Sequence, residues 1–170
     1  MGSNGKDFII RAAEEKDTLL ILDFIKALAE YEKLLDQVTA TEESLRESLF
    51  VRKGAEVVIA EHKGVPAGFA LFFHNFSTFQ GVHGIYLEDL FVKPEFRGLG
   101  YGKVLLAYLA SLAVERKCGR LVWNCLDWNE PSIRFYKSLG AEALNEWVPY
   151  RLSGEALENL ARQFDKDVLS

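Results

Sequence analysis

The chain predicts a mixed α/β fold: one sheet, antiparallel in its first half and continued by a strand-helix-strand unit in its second, flanked by helices. Strand-like runs joined by a hairpin signal, Lys63-Gly64, fill the first half, and the second half alternates helix, strand and helix. Size is the third observation. At 170 residues, 49% hydrophobic and 26% charged, the chain suffices for one buried core, and residues 1–170 read as a single domain. The leading Met1-Gly2-Ser3-Asn4-Gly5 carries no apolar stretch and reads as a tag or leader.

In chain order, residues 8–11 make a short strand. Asp17 then caps a helix on which Leu20, Phe24, Leu28 and Tyr31 recur at helical spacing, running to about Leu35. Thr39 followed by Glu42 reads as the capping box of a shorter helix ending near Val51. Residues 55–60 and 67–74 are strands on either side of the Lys63-Gly64 turn, residues 75–84 a polar glycine-bearing loop, and residues 85–92 another strand. Residues 102–117 form an amphipathic helix ending at Gly119, residues 120–126 a strand, and residues 131–139 a helix ending at Gly140. A final strand is expected near 147–152, and Ser153 caps a last helix to about Phe164.

Composition excludes several functions. Twenty Lys and Arg against 25 Asp and Glu leave a net charge of −5, which argues against nucleic-acid or anionic-membrane partners and leaves room for cationic ones. The longest apolar or glycine run, residues 68–73, falls far short of the ~20 residues that span a bilayer. Cys118 and Cys125, seven apart, form neither a CxxC pair nor a disulfide framework, so a reducing, cytoplasmic setting is expected. His62, His74 and His83 have no Cys or His partner at ligand spacing, so no metal is expected.

The most informative stretch is residues 87–102. A strand leads through a short connector into three alternate glycines, Gly98, Gly100 and Gly102, and these lead into a helix on which Leu105, Tyr108, Leu109 and Leu112 share a face. Glycines let backbone N–H groups approach a phosphate, and a helix N-terminus aims partial positive charge the same way. The bland alternative is a glycine-softened loop without a ligand. A dinucleotide fingerprint needs G-x-G-x-x-G directly after the first strand, whereas the spacing here is G-x-G-x-G with some eighty residues of structure before it. No G-K-[ST] follows, which excludes a P-loop.

Arg97-Gly98-Leu99-Gly100-Tyr101-Gly102 resembles the [Q/R]-x-x-G-x-[G/A] motif of the GNAT superfamily of acetyl-CoA-dependent N-acetyltransferases. Tyr86-Leu87-Glu88-Asp89 before it, and Asp127-Trp128-Asn129-Glu130-Pro131-Ser132, Phe135-Tyr136-Lys137 and Leu139-Gly140-Ala141 after it, resemble the diamine (spermidine/spermine) and thialysine branch. The resemblance implies the GNAT acyl-CoA N-acyltransferase fold, with a V-shaped opening between the parallel strands that start at Ile85 and Arg120. It places the pantetheine arm of acetyl-CoA along the backbone of Leu90, Phe91 and Val92. It places the pyrophosphate at Arg97 and the amides of Gly98, Leu99, Gly100, Tyr101, Gly102 and Lys103, with Asn129 and Ser132 completing the coenzyme site. Read alone, Asn129 is equally a helix cap.

Acetyl transfer from a thioester to an amine needs a neutral amine, stabilisation of the oxyanion and a proton for the departing thiolate. A lysine-like amine, with a pKa of about 10.4, is neutral in only about one molecule in a thousand at pH 7. Glu88 and Asp89 lie mid-strand, where neighbours point to opposite faces unless a bulge intervenes. The resemblance makes Glu88 the base, through water, and Asp89 a substrate ligand; two solvated strand carboxylates are the plain alternative. It makes Tyr136 the acid for the thiolate, although a helical tyrosine is ordinarily core. Tyr31, Glu32, Trp123, Asn124, Glu146 and Trp147 join Asp89 at the amine. Ser77-Thr78-Phe79 departs from the polyamine enzymes and resembles the thialysine type, favouring a small amine. A homodimer is implied by the resemblance only. A protein-directed acetyltransferase and a non-catalytic acetyl-CoA-binding module are the alternatives.

Overall fold

The computed structural model describes residues 7–169, and the leader assigned to residues 1–5 lies outside them. The chain divides into two compact units, Met1–Asn124 and Cys125–Ser170. In the first unit the described residues form one sheet of five strands in the spatial order β1 (Phe8–Ala12), β2 (Glu56–His62), β3 (Val65–Ser77), β4 (Val82–Val92) and β5 (Leu121–Trp123). The first four pair antiparallel, and β5 joins β4 in parallel. The core lies where the sheet meets α1 (Thr18–Tyr31): Ile21 and Phe24 of the helix pack with Val57, Ile59, Phe69 and Phe91 of the strands. Phe24 and Phe69 stack with ring centres 5.1 Å apart. Burial of each such side chain contributes about 1.5–3 kcal/mol.

The start of α1 differs from expectation. Asp17 does not cap the helix with its side chain; its carboxylate accepts two bonds from the Arg11 guanidinium, at 2.7 and 3.0 Å, and one from the Glu14 N–H at 2.8 Å. Arg11 also donates to Glu61 at 2.7 Å, so a buried carboxylate is fully partnered and the helix is tied to β1 and β2. The helix ends at Tyr31 rather than Leu35, because Lys33 adopts a left-handed backbone (φ 61°) and a separate turn follows at Leu35–Gln37. The next helix, α2 (Glu42–Arg46), is capped by Thr41 with Ser44, not by Thr39 with Glu42, and the wider turn Glu47–Val51 extends it. The third, α3 (Tyr101–Glu115), buries Leu105, Leu106, Leu109 and Ala113.

Residues 75–84, expected as a loop, are mostly strand. Asn75 pairs with Gly84, Phe76 with His83 and Ser77 with Val82, which shrinks the turn to residues 78–81. This end of the hairpin is largely exposed, so its composition imitates a loop. A Cβ at Gly84 would push aside the Asn75 amide oxygen and crowd Arg120, so glycine allows the close approach of these strands.

The second unit holds α4 (Glu130–Ser138) and α5 (Gly154–Ala161). The strand expected at 147–152 does not form: Pro149 offers no N–H to a ladder, and the segment is irregular with Val148 and Tyr150 exposed. The last helix ends at Ala161, short of Phe164, and Ser153 precedes it without a side-chain capping bond. Among the described residues no helix is long and apolar enough to cross a membrane.

Candidate active site

The site begins with a strand that outruns its partner. β5 pairs with β4 only through Ile85–Leu121, Tyr86–Val122 and Leu87–Trp123, whereas β4 continues to Val92. Residues 89–92 therefore keep their β3 partners on one side and have no paired strand on the other. An edge of this kind offers backbone N–H and C=O groups to an extended ligand. The Val92 carbonyl accepts the Arg97 Nε–H at 3.0 Å.

Where the parallel pairing ends, β4 carries a bulge. Leu71 faces Asp89 and Phe72 faces Leu87, which leaves Glu88 as the extra residue. The bulge suspends strict alternation, so Glu88 and Asp89 are not forced to opposite faces. Their surroundings differ: Glu88 is exposed, while Asp89 is half-buried. Burial, with the charges of Glu88 and then Glu32 adding to it, pushes the Asp89 carboxyl up to about 6. Glu32, at the end of α1, is raised by burial alone. The structure thus brings Glu32, Glu88 and Asp89 into one acidic group.

The glycine stretch follows a turn at Pro94–Phe96. Gly98 and Gly100 both have left-handed backbones (φ 81° and 80°), a conformation that disfavours any side chain, and a Cβ at either would meet no protein atom. Gly102 has no such backbone demand. Its added Cβ would touch only Leu90 Cδ2 at 3.9 Å, an ordinary contact, so nothing in the protein itself requires a glycine in the first turn of α3. Open space before a cradle that only a ligand would need to keep clear fits a bound phosphate, with the exposed Lys103 beside it. The Arg97 guanidinium lies over the Tyr31 ring at 5.1 Å and the Phe91 ring at 5.5 Å, joining the end of α1, β4 and the glycine loop. Leu90 is half-buried and Leu99 exposed. Trp123 ends β5 opposite Leu87, with exposed Asn124 next to it.

The remaining expected residues belong to the second unit. Asn129 is buried and caps α4, its Oδ1 accepting from the Ser132 N–H at 3.4 Å, so the capping role is realised. Tyr136 is half-buried on α4, its ring tilted against Phe135 with centres 5.6 Å apart. Glu146 and Trp147 lie in the irregular segment, the tryptophan 72% exposed. Among the described residues no cluster of His, Cys, Asp or Glu is placed to hold a metal.

Two residues that carry no site role in the sequence reading lie beside the assigned ones. Tyr86 stacks on Phe73 at 5.1 Å, and burial and the Glu88 charge push its phenol up while the Asn124 side chain pulls it the other way. Its place two residues before Glu88 was the available signal. His62 reads in sequence as a scattered histidine, yet the fold sets its ring against Tyr101 at the head of α3.

Residues 21–141 match the model of the acetyltransferase (GNAT) family. The chain is 40% identical over 165 residues to a thialysine N-epsilon-acetyltransferase of Bos taurus, across 90% of this chain and 96% of that protein. It is 44% identical over 94 residues to an L-ornithine N5-acetyltransferase of Arabidopsis thaliana, across 55% of this chain and 41% of that protein. Among solved structures, an integron cassette protein of V. cholerae shares 30% identity and a TM-score of 0.77, covering 93% of this chain and 99% of its own.

Proposed function

The chain belongs to the acetyltransferase (GNAT) family, in its diamine and thialysine branch, and from that premise we propose that it moves the acetyl group of acetyl-CoA directly onto a primary amine of a small cationic molecule. The observation that carries this reading is the open edge of β4, with the glycine cradle just beyond it and the Glu32, Glu88 and Asp89 carboxylates along it. A diamine, thialysine or amino-acid side-chain amine suits such a site, and the thialysine and ornithine enzymes similar to this chain support that acceptor class.

Acetyl-CoA, when bound, supplies the thioester. Backbone groups of Leu90, Phe91 and Val92 hold the arm, and Arg97 with the amides of residues 98–103 holds the pyrophosphate. Asn129 and Ser132 complete that site. The family resemblance assigns Tyr31, Glu32, Asp89, Trp123 and Asn124, and with them Glu146 and Trp147, to the amine. The ammonium proton passes through water to a carboxylate, the nitrogen–carbon bond forms as the carbon–sulfur bond breaks, and the Tyr136 phenol gives its proton to the sulfur. A backbone N–H near Leu90 meets the negative charge that develops on oxygen. Glu88 is one proton acceptor. Asp89 is a second reading favoured by its half-buried place and raised pKa, since a carboxyl titrating near 6 binds a proton more firmly than an ordinary one.

Residues 1–170 are proposed as one acetyltransferase domain, a reading supported by a family match that runs across residues 21–141. A homodimer is part of the proposal, supported by exposed apolar side chains such as Trp147, Val148 and Tyr150. A cytoplasmic setting is supported by the free thiol of Cys118. The test is thiol release from acetyl-CoA with spermidine, putrescine, thialysine, lysine, ornithine and a lysine-bearing peptide. Turnover with a small amine is expected. Turnover with the peptide alone makes the enzyme protein-directed, and thiol release with none makes it a non-catalytic acetyl-CoA-binding module.

A further inference from the structure

We infer that His62 is a positioning residue for donor binding, clamping both ends of the glycine loop from the far end of β2. The inference rests on reading that loop as the phosphate cradle. Arg97 is held at the Val92 carbonyl and over the Tyr31 and Phe91 rings, but the loop beyond it has little of its own to hold it. Residues 98–100 are all exposed, Gly98 and Gly100 have left-handed backbones, and Gly100 precedes α3 without any side-chain cap. Glycine loses more conformational freedom on ordering than any other residue, so a cradle of this composition binds well only if something else fixes its shape beforehand.

His62 touches the residues on both flanks of the loop. Its ring lies against Phe96, which precedes the loop, with centres 5.5 Å apart, and against Tyr101, which follows it, at 5.8 Å. Its Nδ1 shares a hydrogen bond with the Tyr101 hydroxyl. The Tyr101 ring is in turn stacked on Phe8 of β1, centres 4.0 Å apart. Strand β1 is the edge of the sheet opposite β5 and β2 lies next to it, so the clamp fastens the cradle to the sheet without entering the open edge of β4. None of the steps of acetyl transfer uses the imidazole. Its contribution is to the shape of the cradle, and a defect there falls on donor affinity and spares turnover once donor saturates.

The test measures CoA and acetyl-CoA binding by calorimetry, with steady-state kinetics, for the wild type, His62→Ala, His62→Asn, Tyr101→Phe and the His62→Ala/Tyr101→Phe pair. Losing one hydrogen bond and part of a ring contact weakens donor binding about five- to tenfold. The expected result for His62→Ala is a Kd and donor KM raised by about that factor, with kcat at saturating donor within about twofold of wild type. Asn, whose side-chain oxygen stands near the position of Nδ1, restores part of the affinity. The double variant is no weaker than the worse single, because both remove the same bond. Tyr101→Phe keeps the stack on Phe8 and so tests the bond even if His62→Ala folds poorly. Wild-type donor affinity in His62→Ala and Tyr101→Phe, or a fall in kcat matching the rise in KM, overturns the clamp. A wild-type protein that binds neither CoA nor acetyl-CoA overturns the cradle itself.

Discussion

At the residue scale, Asp89 has the environment most unlike that of an ordinary carboxylate. Its ordinary pKa of 3.8 is raised to about 6 in the fold, first by burial and then by the Glu88 and Glu32 charges. A carboxyl whose folded pKa lies above its unfolded value binds more protons when folded. Its ionisation therefore weakens the fold above pH 6, and the penalty is relieved as pH falls from 6 towards 3.8. Asp89→Asn is expected to raise thermal stability at neutral pH and to leave it unchanged in acid below the unfolded pKa, as a melting series across pH reads directly. If the ionised form takes the amine proton, kcat/KM in the wild type loses activity below pH 6, and the substitution removes that limb together with at least about tenfold of kcat/KM. A limb that survives in Asp89→Asn belongs to another group. Sequence pointed to the Glu88-Asp89 pair, and only the resemblance ranked Glu88 as base over Asp89; the exposure that separates them was not legible, because the bulge that sets it is a matter of register between β3 and β4.

At the scale of elements, the junction from β4 to α3 was legible because its signals are local: glycines at positions 98, 100 and 102 and an amphipathic helix behind them. The parallel pair was legible too, but not its length. Residues 120–126 read as a strand of full length, whereas β5 stops at Trp123, and it is this early stop that opens the edge of β4. The strand expected at 147–152 failed on Pro149, and the cap expected at Asp17 failed because Arg11, distant from nothing in sequence but reaching from another element, claims the carboxylate. The first turn of α3 offers the sharpest prediction. Gly102→Ala adds a methyl group that the protein accommodates, so it should stabilise the unliganded fold by about 0.5–1 kcal/mol. If this turn holds the pyrophosphate as proposed, the same methyl crowds it, and acetyl-CoA affinity should fall by at least about tenfold. Opposite signs in the melting and binding experiments mark a glycine kept for a ligand. Unchanged affinity would mean that Gly102 serves no donor.

At the scale of the whole molecule, a net charge of −5 says little by itself. What matters is that three carboxylates gather beside β4, close to a loop whose exposed amides attract the opposite charge. Composition and periodicity supported the fold class and no more; the reaction became legible through the glycine stretch and the Glu88-Asp89 and Asn129-Glu130-Pro131-Ser132 segments. Direct transfer from acetyl-CoA to a small amine is the claim on which every assigned role depends. Its most direct test follows isotope-labelled acetyl from acetyl-CoA by mass spectrometry, with thialysine or ornithine as acceptor, alongside the thiol released. The account predicts label on the small amine in one-to-one proportion with thiol. Thiol release that leaves the amine unlabelled, or no release with any small amine, would contradict it.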